Sequence, residues 1–423
     1  MRYKERYKSH HDASKALKAR FNAETDKAAY LAGLLGGPAK SRRALYVHVP
    51  FCNKICSFCP FHRPDELRRR EYHAYLIRGM RQIGGYPYMR APIDAVNFGG
   101  GTPTALSPVQ MGLVLREIKN TFDIRENAEI SVETSVSELT DEMLGVLRDG
   151  GVNRLSVGVQ TFDDNARKTF NRRGSGEKAA ERLRAAVNGG FSNTGIDLIY
   201  NYPGQTPDML KRDLDTVKSL NLSGVSFYSL MLHEKTPLYG KLTDADRNEM
   251  NDTAREYRLF QMILDELRGV GYGVFELTKM IRADLDRYDY IRIRHGGGSC
   301  IALGQGAGGN LENYIYRNAA GAPPVSGAIA VSAHGRVVTD EYRVIDEFIH
   351  ELQRAGVDLG AYSPRFGADL AALLAKPLDE LRAGGYIAAA GGGIRFTDKG
   401  LFWGNNIIDE LARRLLAAED GRV

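Results

Sequence analysis

Three cysteines, Cys52, Cys56 and Cys59, lie close together in the stretch Tyr46-Val-His-Val-Pro-Phe-Cys-Asn-Lys-Ile-Cys-Ser-Phe-Cys, directly after a strand-like run. A C-x3-C-x-aromatic-C spacing is too short to close a helix or strand ladder. It suits three thiolates that converge on three irons of a cubane and leave the fourth iron open. Thiolates are the usual holders of iron–sulfur clusters, and an open coordination position is where a metal centre does chemistry. The rival reading is structural zinc, because His48 and His62 flank the trio and Cys3His zinc sites exist. Zinc ligands, however, usually come as two close doublets joined by a longer loop.

The second feature is Asn97-Phe-Gly-Gly-Gly-Thr-Pro-Thr, at the end of the next strand-like run. Three glycines strip side chains from the backbone, so a ligand can approach its amides and carbonyls closely. Alone, such a run is a loop or a weak phosphate cradle. One strand–helix unit after the cysteine loop, it becomes a seat for a small ligand that the open iron would also grip.

These loops need a scaffold that brings strand ends together. From Ala44 onward, β-branched runs alternate with helical periodicity. The predicted strands are Ala44–Val49, Ala95–Phe98, Glu129–Thr134, Arg154–Gln160, Thr194–Tyr200 and Gly224–Leu230, with helices such as Pro108–Asn120, Thr140–Asp149 and Pro207–Ser219 between them. Six such units imply a parallel sheet, since parallel neighbours need crossover helices. A doubly wound sheet also fits the alternation, but polar residues cluster at strand ends, where a barrel's active face lies. The expected fold is therefore α/β: a partial (β/α)6 TIM-like barrel with a small winged-helix-like α+β cap at the C-terminus.

The boundaries expected are a basic helical arm over 1–43, the barrel over 44–240, a barrel extension with substrate-side elements over 241–360, and the cap over 361–423. In the extension, Asn251–Gly269 reads as a helix, Tyr272–Glu276 as an edge strand, and Pro323–Pro324 as a loop. In the cap, Asp369–Ala375 and Pro377–Ala383 read as short helices, the proline opening the second. A hairpin and a last helix, Leu401–Ala418, follow.

Bulk composition fits a soluble globular chain: of 423 residues, 43% are hydrophobic and 26% charged. No run approaches the roughly 18 apolar residues of a membrane span, and no export signal is visible. Four cysteines, three of them in one motif, make no disulfide framework, and an oxygen-sensitive cluster calls for the reducing cytoplasm. Residues 1–43 carry eleven Lys/Arg against four Asp/Glu, although the whole chain is only +5. That arm reads as a solvated lead-in helix; steering of an acidic ligand is the alternative. Nothing resembles a nucleic-acid-binding module.

From Tyr46 onward the chain resembles the radical S-adenosylmethionine (radical SAM) superfamily, and within it the HemN-like group typified by oxygen-independent coproporphyrinogen III oxidase. The resemblance implies a 4Fe-4S cluster on Cys52, Cys56 and Cys59 and two molecules of S-adenosylmethionine. It implies that Tyr46 and Phe58 line the cofactor, that Gly100, Gly101 and Thr102 form the glycine motif, and that Glu133 is the cofactor-binding acid. Gln160 in Gly158-Val-Gln, Arg172 in Asn171-Arg and Asp197 in Asp197-Leu-Ile-Tyr match the later positions. Phe58, Gly101, Gln160, Arg172 and Asp197 serve the second cofactor molecule in that group. From the residues alone, the alternative for Asp197 and Gln160 is a helix cap or a buried structural group, and for Glu133 with Arg172 a plain ion pair.

Three departures point to a branch. The oxidases carry a further cysteine two residues past the third ligand, where Phe61 stands here. Glu133-Thr-Ser-Val replaces their acid-(Asn/Asp)-Pro, and Arg172-Arg-Gly-Ser-Gly replaces their Gly-Arg-x-His. These stretches, with Gly304-Gln-Gly-Ala-Gly-Gly-Asn and the upstream Arg287-Tyr-Asp-Tyr, are similar to the anaerobic haem-degrading radical methyltransferases of the ChuW/HutW type. That resemblance implies methylation and opening of haem to a linear tetrapyrrole with release of iron, fed by a donor such as flavodoxin or ferredoxin. His295, Cys300 and Tyr314 read as packing residues or as groups near an iron, and His62 as a packing residue or proton donor. The competing expectations are a methyltransferase of another aromatic ring, a haem chaperone, the coproporphyrinogen enzyme itself, and a zinc-stabilised binding protein.

Overall fold

The first strand, β1 (Arg43–Val49), alternates in a way that sets the architecture: Leu45, Val47 and Val49 are buried in the main core, while Tyr46 and His48 face a polar interior. The computed structural model describes residues 2–8, 21–61, 66–319 and 335–419, so His62 and Pro323–Pro324 lie outside the described residues. β2 (Ile93–Gly100), β3 (Ile124–Ser135), β4 (Arg154–Gln160), β5 (Thr194–Tyr200) and β6 (Gly224–Ser229) follow in spatial order, each parallel to its predecessor. This is the partial (β/α)6 barrel expected from the alternation. Burial on both faces makes such strands largely apolar.

The crossover helices begin at chemical caps. Ser107 accepts from the Gln110 N–H at 3.3 Å while Gln110 accepts from the Ser107 N–H at 2.9 Å, with Pro108 opening the helix Pro108–Thr121. Thr140 and Thr206 cap Asp141–Asp149 and Pro207–Ser219 one way only, their hydroxyls accepting from the Met143 and Met209 N–H groups.

Beyond the sixth unit the sheet continues on both sides. β7 (Gly273–Glu276) is the edge strand expected, separated from β6 by β8 (Lys279–Ile281). On the other side β9 (Ser299–Leu303) runs parallel to β1 and leads to β10 (Gly308–Leu311), β11 (Tyr314–Arg317) and β12 (Arg336–Val337). The helix expected over Asn251–Gly269 is present as Thr253–Arg268; a separate helix, Asp244–Asn251, precedes it, and Asp252 between them caps the second, accepting from Ala254 N at 2.9 Å.

At the C-terminus β13 (Gly356–Val357), β15 (Gly393–Phe396) and β14 (Ile387–Ala390) form a three-stranded sheet, so this unit draws on chain before residue 361. Pro377 stands third, not first, in the helix Ala375–Ala383; first-turn N–H groups have no helical partner, so a proline is tolerated there. The last helix is split into Asp398–Phe402 and Gly404–Glu419.

The described part of the arm is helical only over Lys27–Gly36. Residues 2–8 form no helix and instead strap the C-terminal unit. Arg2 meets Glu380 at 2.7 Å and pairs with Glu410, and Arg6 pairs with the buried Glu256. Charge neutralisation by those acids is the physical reason. Among the described residues no helix is long and apolar enough to cross a membrane.

Candidate active site

The cysteine loop after β1 is held to the segment that follows β4. The Ser57 N–H donates to the Phe170 carbonyl at 3.1 Å and its hydroxyl to the Thr169 carbonyl at 2.6 Å. Asn171, in the left-handed region at φ 57°, donates to the Ile55 carbonyl at 2.7 Å. Phe58 meets Phe170 edge-on with ring centres 5.3 Å apart. Pinned this way, the loop presents Cys52, Cys56 and Cys59 part-exposed and without disulfides, while Cys300 is buried in β9.

A cavity of about 610 Å³ opens at these strand ends. Its wall brings together every residue the sequence singled out for cluster or cofactor: the three cysteines, Tyr46, Phe58, Gly100, Gly101, Thr102, Glu133, Gln160, Arg172 and Asp197. The parallel register explains the gathering. Tyr46 pairs with Asn97, Glu133 with Ser156, Gly158 with Asp197, and Asp197 with Ser226, so successive strands deliver polar side chains to the interior near their ends.

Two donors address the sulfurs. The Thr102 hydroxyl lies 3.4 Å from Cys52 Sγ, and Arg172 Nη1 lies 3.1 Å from Cys56 Sγ. Donors of this kind stabilise thiolates over thiols. Arg172 also donates to the Gly158 carbonyl, so it turns to the cysteine loop and not to Glu133. Arg167, buried, donates to the carbonyls of Val159, Thr161, Arg173 and Gly174 and thereby shapes the loop that carries Arg172. Among the described residues no three His, Cys, Asp or Glu side chains gather closely enough to share one metal ion. All three cysteines line the cavity.

The glycine run is required by the protein itself as well as by any ligand. Gly100 has φ +113°, and a Cβ there would stand 2.6 Å from the His48 ring; one on Gly101 would stand 2.5 Å from the Phe51 carbonyl oxygen. Gln160 is also left-handed at φ 75°, beside an irregularity in the β4–β5 register.

Burial, reinforced by the neighbouring Asp197 charge, pushes the Glu133 carboxyl up to about 7, against hydrogen bonds from Asn97 and the Gly100 N–H. Asp197 is raised by burial too, moderated by Lys279 and a Ser226 hydrogen bond. Tyr46 Oη lies 2.8 Å from His48 Nδ1, and burial lowers the His48 pKa, with Arg317 adding to the effect.

The sequence reading missed the charged floor beneath. Arg154 makes a two-pronged pair with Asp286 at 3.0 and 3.1 Å and lies 3.8 Å from the centre of the Tyr288 ring, with Lys279 4.5 Å from the same ring. It also missed a second cavity of about 700 Å³, which shares Tyr46, His48 and Glu133 with the first. Period-two alternation from Tyr46 would have put His48 on the same face; nothing local announces the rest. Cys300 and Tyr314 are fully buried, and His295 stacks on His350 with ring centres 4.6 Å apart.

Comparison with known proteins agrees with this geometry. The family model described as "Radical SAM superfamily" matches residues 46–217, and that described as "HemN C-terminal domain" matches residues 346–403. Anaerobilin synthase of Escherichia coli O157:H7 is 28% identical over 88% of this chain and 84% of its own. Heme chaperone HemW of Lactococcus lactis subsp. lactis is 27% identical over 86% of this chain and 96% of its own. Oxygen-independent coproporphyrinogen III oxidase of Salmonella typhimurium is 31% identical over 62% and 58% respectively. The solved structure of coproporphyrinogen III oxidase (HemN) from Escherichia coli superimposes with a TM-score of 0.77 at 23% identity, covering 93% of this chain and 95% of that one, and shows the fold to be the same.

Proposed function

We propose, from the premise that this chain belongs to the radical SAM superfamily and to its HemN-like group, that it is a C-methyltransferase that methylates and opens haem anaerobically. The products are a linear tetrapyrrole and released iron. The superfamily's cofactors are a 4Fe-4S cluster and S-adenosylmethionine, with two molecules of the latter in this group. When bound, they supply one-electron cleavage of a sulfonium, hydrogen abstraction and a methyl carbon.

The chain's own residues position that chemistry. Cys52, Cys56 and Cys59 would hold the cluster, with the Thr102 and Arg172 donors steadying thiolate charge on the first two. Tyr46, Gly100, Gly101, Thr102 and Glu133 would seat one cofactor molecule; Phe58, Gly101, Gln160, Arg172 and Asp197 would seat the second. A carboxyl poised near 7 such as Glu133 ionises readily against a cationic ligand. Walls of this kind orient reactants and keep water out, which is most of what a protein adds to cofactor chemistry. A flavodoxin- or ferredoxin-type donor in the cytoplasm would supply the electron.

The observation that carries the reading is the shared wall. Tyr46, His48 and Glu133 face both the thiol-lined cavity and the 700 Å³ chamber, so a bulky organic substrate has a place directly against the cofactor site. Similarity to anaerobilin synthase along most of both chains supports the haem assignment. Similarity to the haem chaperone over nearly all of that protein favours a second reading, haem binding without turnover.

One experiment separates them. The reconstituted chain is incubated without oxygen with reductant, haem and methyl-deuterated S-adenosylmethionine. Loss of the haem spectrum, S-adenosylhomocysteine, and deuterium in a linear tetrapyrrole are expected. Haem bound but unchanged, with no S-adenosylhomocysteine, would establish the chaperone reading; cofactor cleavage indifferent to haem would favour another aromatic ring as substrate.

A further inference from the structure

We propose that the second chamber seats the substrate and that Arg294 receives one of its carboxylates, an assignment that rests on the haem reading above. At about 700 Å³ the chamber falls within the roughly 300–1,000 Å³ of small-molecule sites. Its charged groups are not all in the same state. Glu312 accepts from the backbone N–H groups of Lys40 and Ser41, each at 3.1 Å, and Arg343 stands 3.7 Å away. Glu347 takes both prongs of Arg365, at 2.8 and 2.9 Å, from outside the chamber. Asp346 lies 3.4 Å from both His350 Nδ1 and the Tyr342 hydroxyl. These three acids are thus engaged, and the fourth, Glu133, stands at the wall shared with the cofactor cavity.

Arg294 differs. It stands near the end of the short helix Asp289–His295 and lines the chamber. Among the described residues its side-chain partners are Tyr290 and Cys300, and it forms no ion pair with a carboxylate. Half-buried at the chamber wall, it brings a fixed positive charge to the chamber. A carboxylate arriving with a ligand matches its planar fork with two parallel hydrogen bonds.

The position suits a large substrate. Tyr290, which flanks Arg294, stacks on Tyr46 with ring centres 6.1 Å apart, and Tyr46 borders the cofactor cavity. A ring system anchored by its acidic edge at Arg294 therefore extends toward Tyr46 and Glu133, where the two cavities join. In haem the anchoring group is a propionate. The chamber selects for an acid-bearing ring, and an esterified one loses that anchor.

The test is optical titration of the reconstituted full chain under argon with two probes, haem and haem dimethyl ester. The native chain is expected to bind haem at least about tenfold tighter than the ester, the scale of one charged hydrogen-bonding pair. Arg294→Gln is expected to bring haem down to the affinity of the ester, and Arg294→Lys to retain part of the preference. Unchanged ester binding by Arg294→Gln shows that the chamber is intact. Equal binding of acid and ester by the native chain, or undiminished preference in Arg294→Gln, overturns the inference and leaves the haem reading standing. A native chain that binds neither probe overturns the haem reading, and the inference with it.

Discussion

The two cavities that meet at Tyr46, His48 and Glu133 are built by different means. The first is made of loops at strand ends: a run of three cysteines, a run of glycines, and short polar side chains delivered in register by neighbouring strands. The second is walled by long polar side chains from elements far apart in the chain, Tyr46 on β1, Arg294 on a short helix, Arg317 on β11 and His350 on the helix Asp340–Gln353. Beneath both lies the buried Arg154–Asp286 pair. The contrast separates two tasks. Holding a cluster and a cofactor takes backbone shape and thiols at fixed spacing, whereas choosing a substrate takes charge placed by tertiary structure.

The comparison can be broken first at the floor. Asp286→Ala leaves the fully buried Arg154 with Glu129 at 3.9 Å as its nearest remaining anion. Removing one partner of such a pair is expected to cost about 3–5 kcal/mol of stability, read as a large fall in the urea midpoint. Because Arg154 holds the Asp286 pKa below its usual value, this contribution is present above the unfolded pKa and lost as pH falls through the folded one. The difference between native and variant midpoints should therefore shrink in acid.

A smaller effect sharpens the first cavity alone. Arg172→Ala removes the donor to Cys56 and the tie to Gly158. Outer-shell partners of metal ligands are typically worth about 10–100-fold, and a loss of that size is expected in cluster retention or in reductive cofactor cleavage. Arg172→Lys should recover part of it, and haem binding should be unmoved.

The mildest effect is on pH. With Glu133 held up to about 7 by burial and the Asp197 charge, the cofactor-free chain favours the protonated acid. That contribution to stability is present below the unfolded pKa and lost as pH rises through about 7. A cationic cofactor favours the ionised form, so its affinity should rise by up to about tenfold as pH climbs through the same window. Isothermal titration with S-adenosylmethionine checks this, and Glu133→Gln should flatten the profile.

The same contrast decides what was legible in the chain. The six parallel strands and the first cavity could be read from residues because each motif is contiguous and ends a β-branched run. The reason for the glycines was half visible: the sequence suggests room for a ligand, whereas at Gly100 and Gly101 the His48 ring and the Phe51 carbonyl already claim the space. β8 and β12 span three and two residues, too short for periodicity to show. The roles of Arg154, Arg294 and Asp286 depend on partners more than a hundred residues away or on the lack of one, which no local pattern encodes.

The central claim is that Cys52, Cys56 and Cys59 hold a 4Fe-4S cluster whose open iron binds S-adenosylmethionine. The most direct measurement is the yield of methionine after anaerobic reconstitution and reduction with S-adenosylmethionine present, for the native chain and Cys56→Ala. The account predicts brown protein and methionine from the native chain, and neither from the variant. A native chain that carries the cluster yet releases no methionine, or a variant that matches it, would contradict the account.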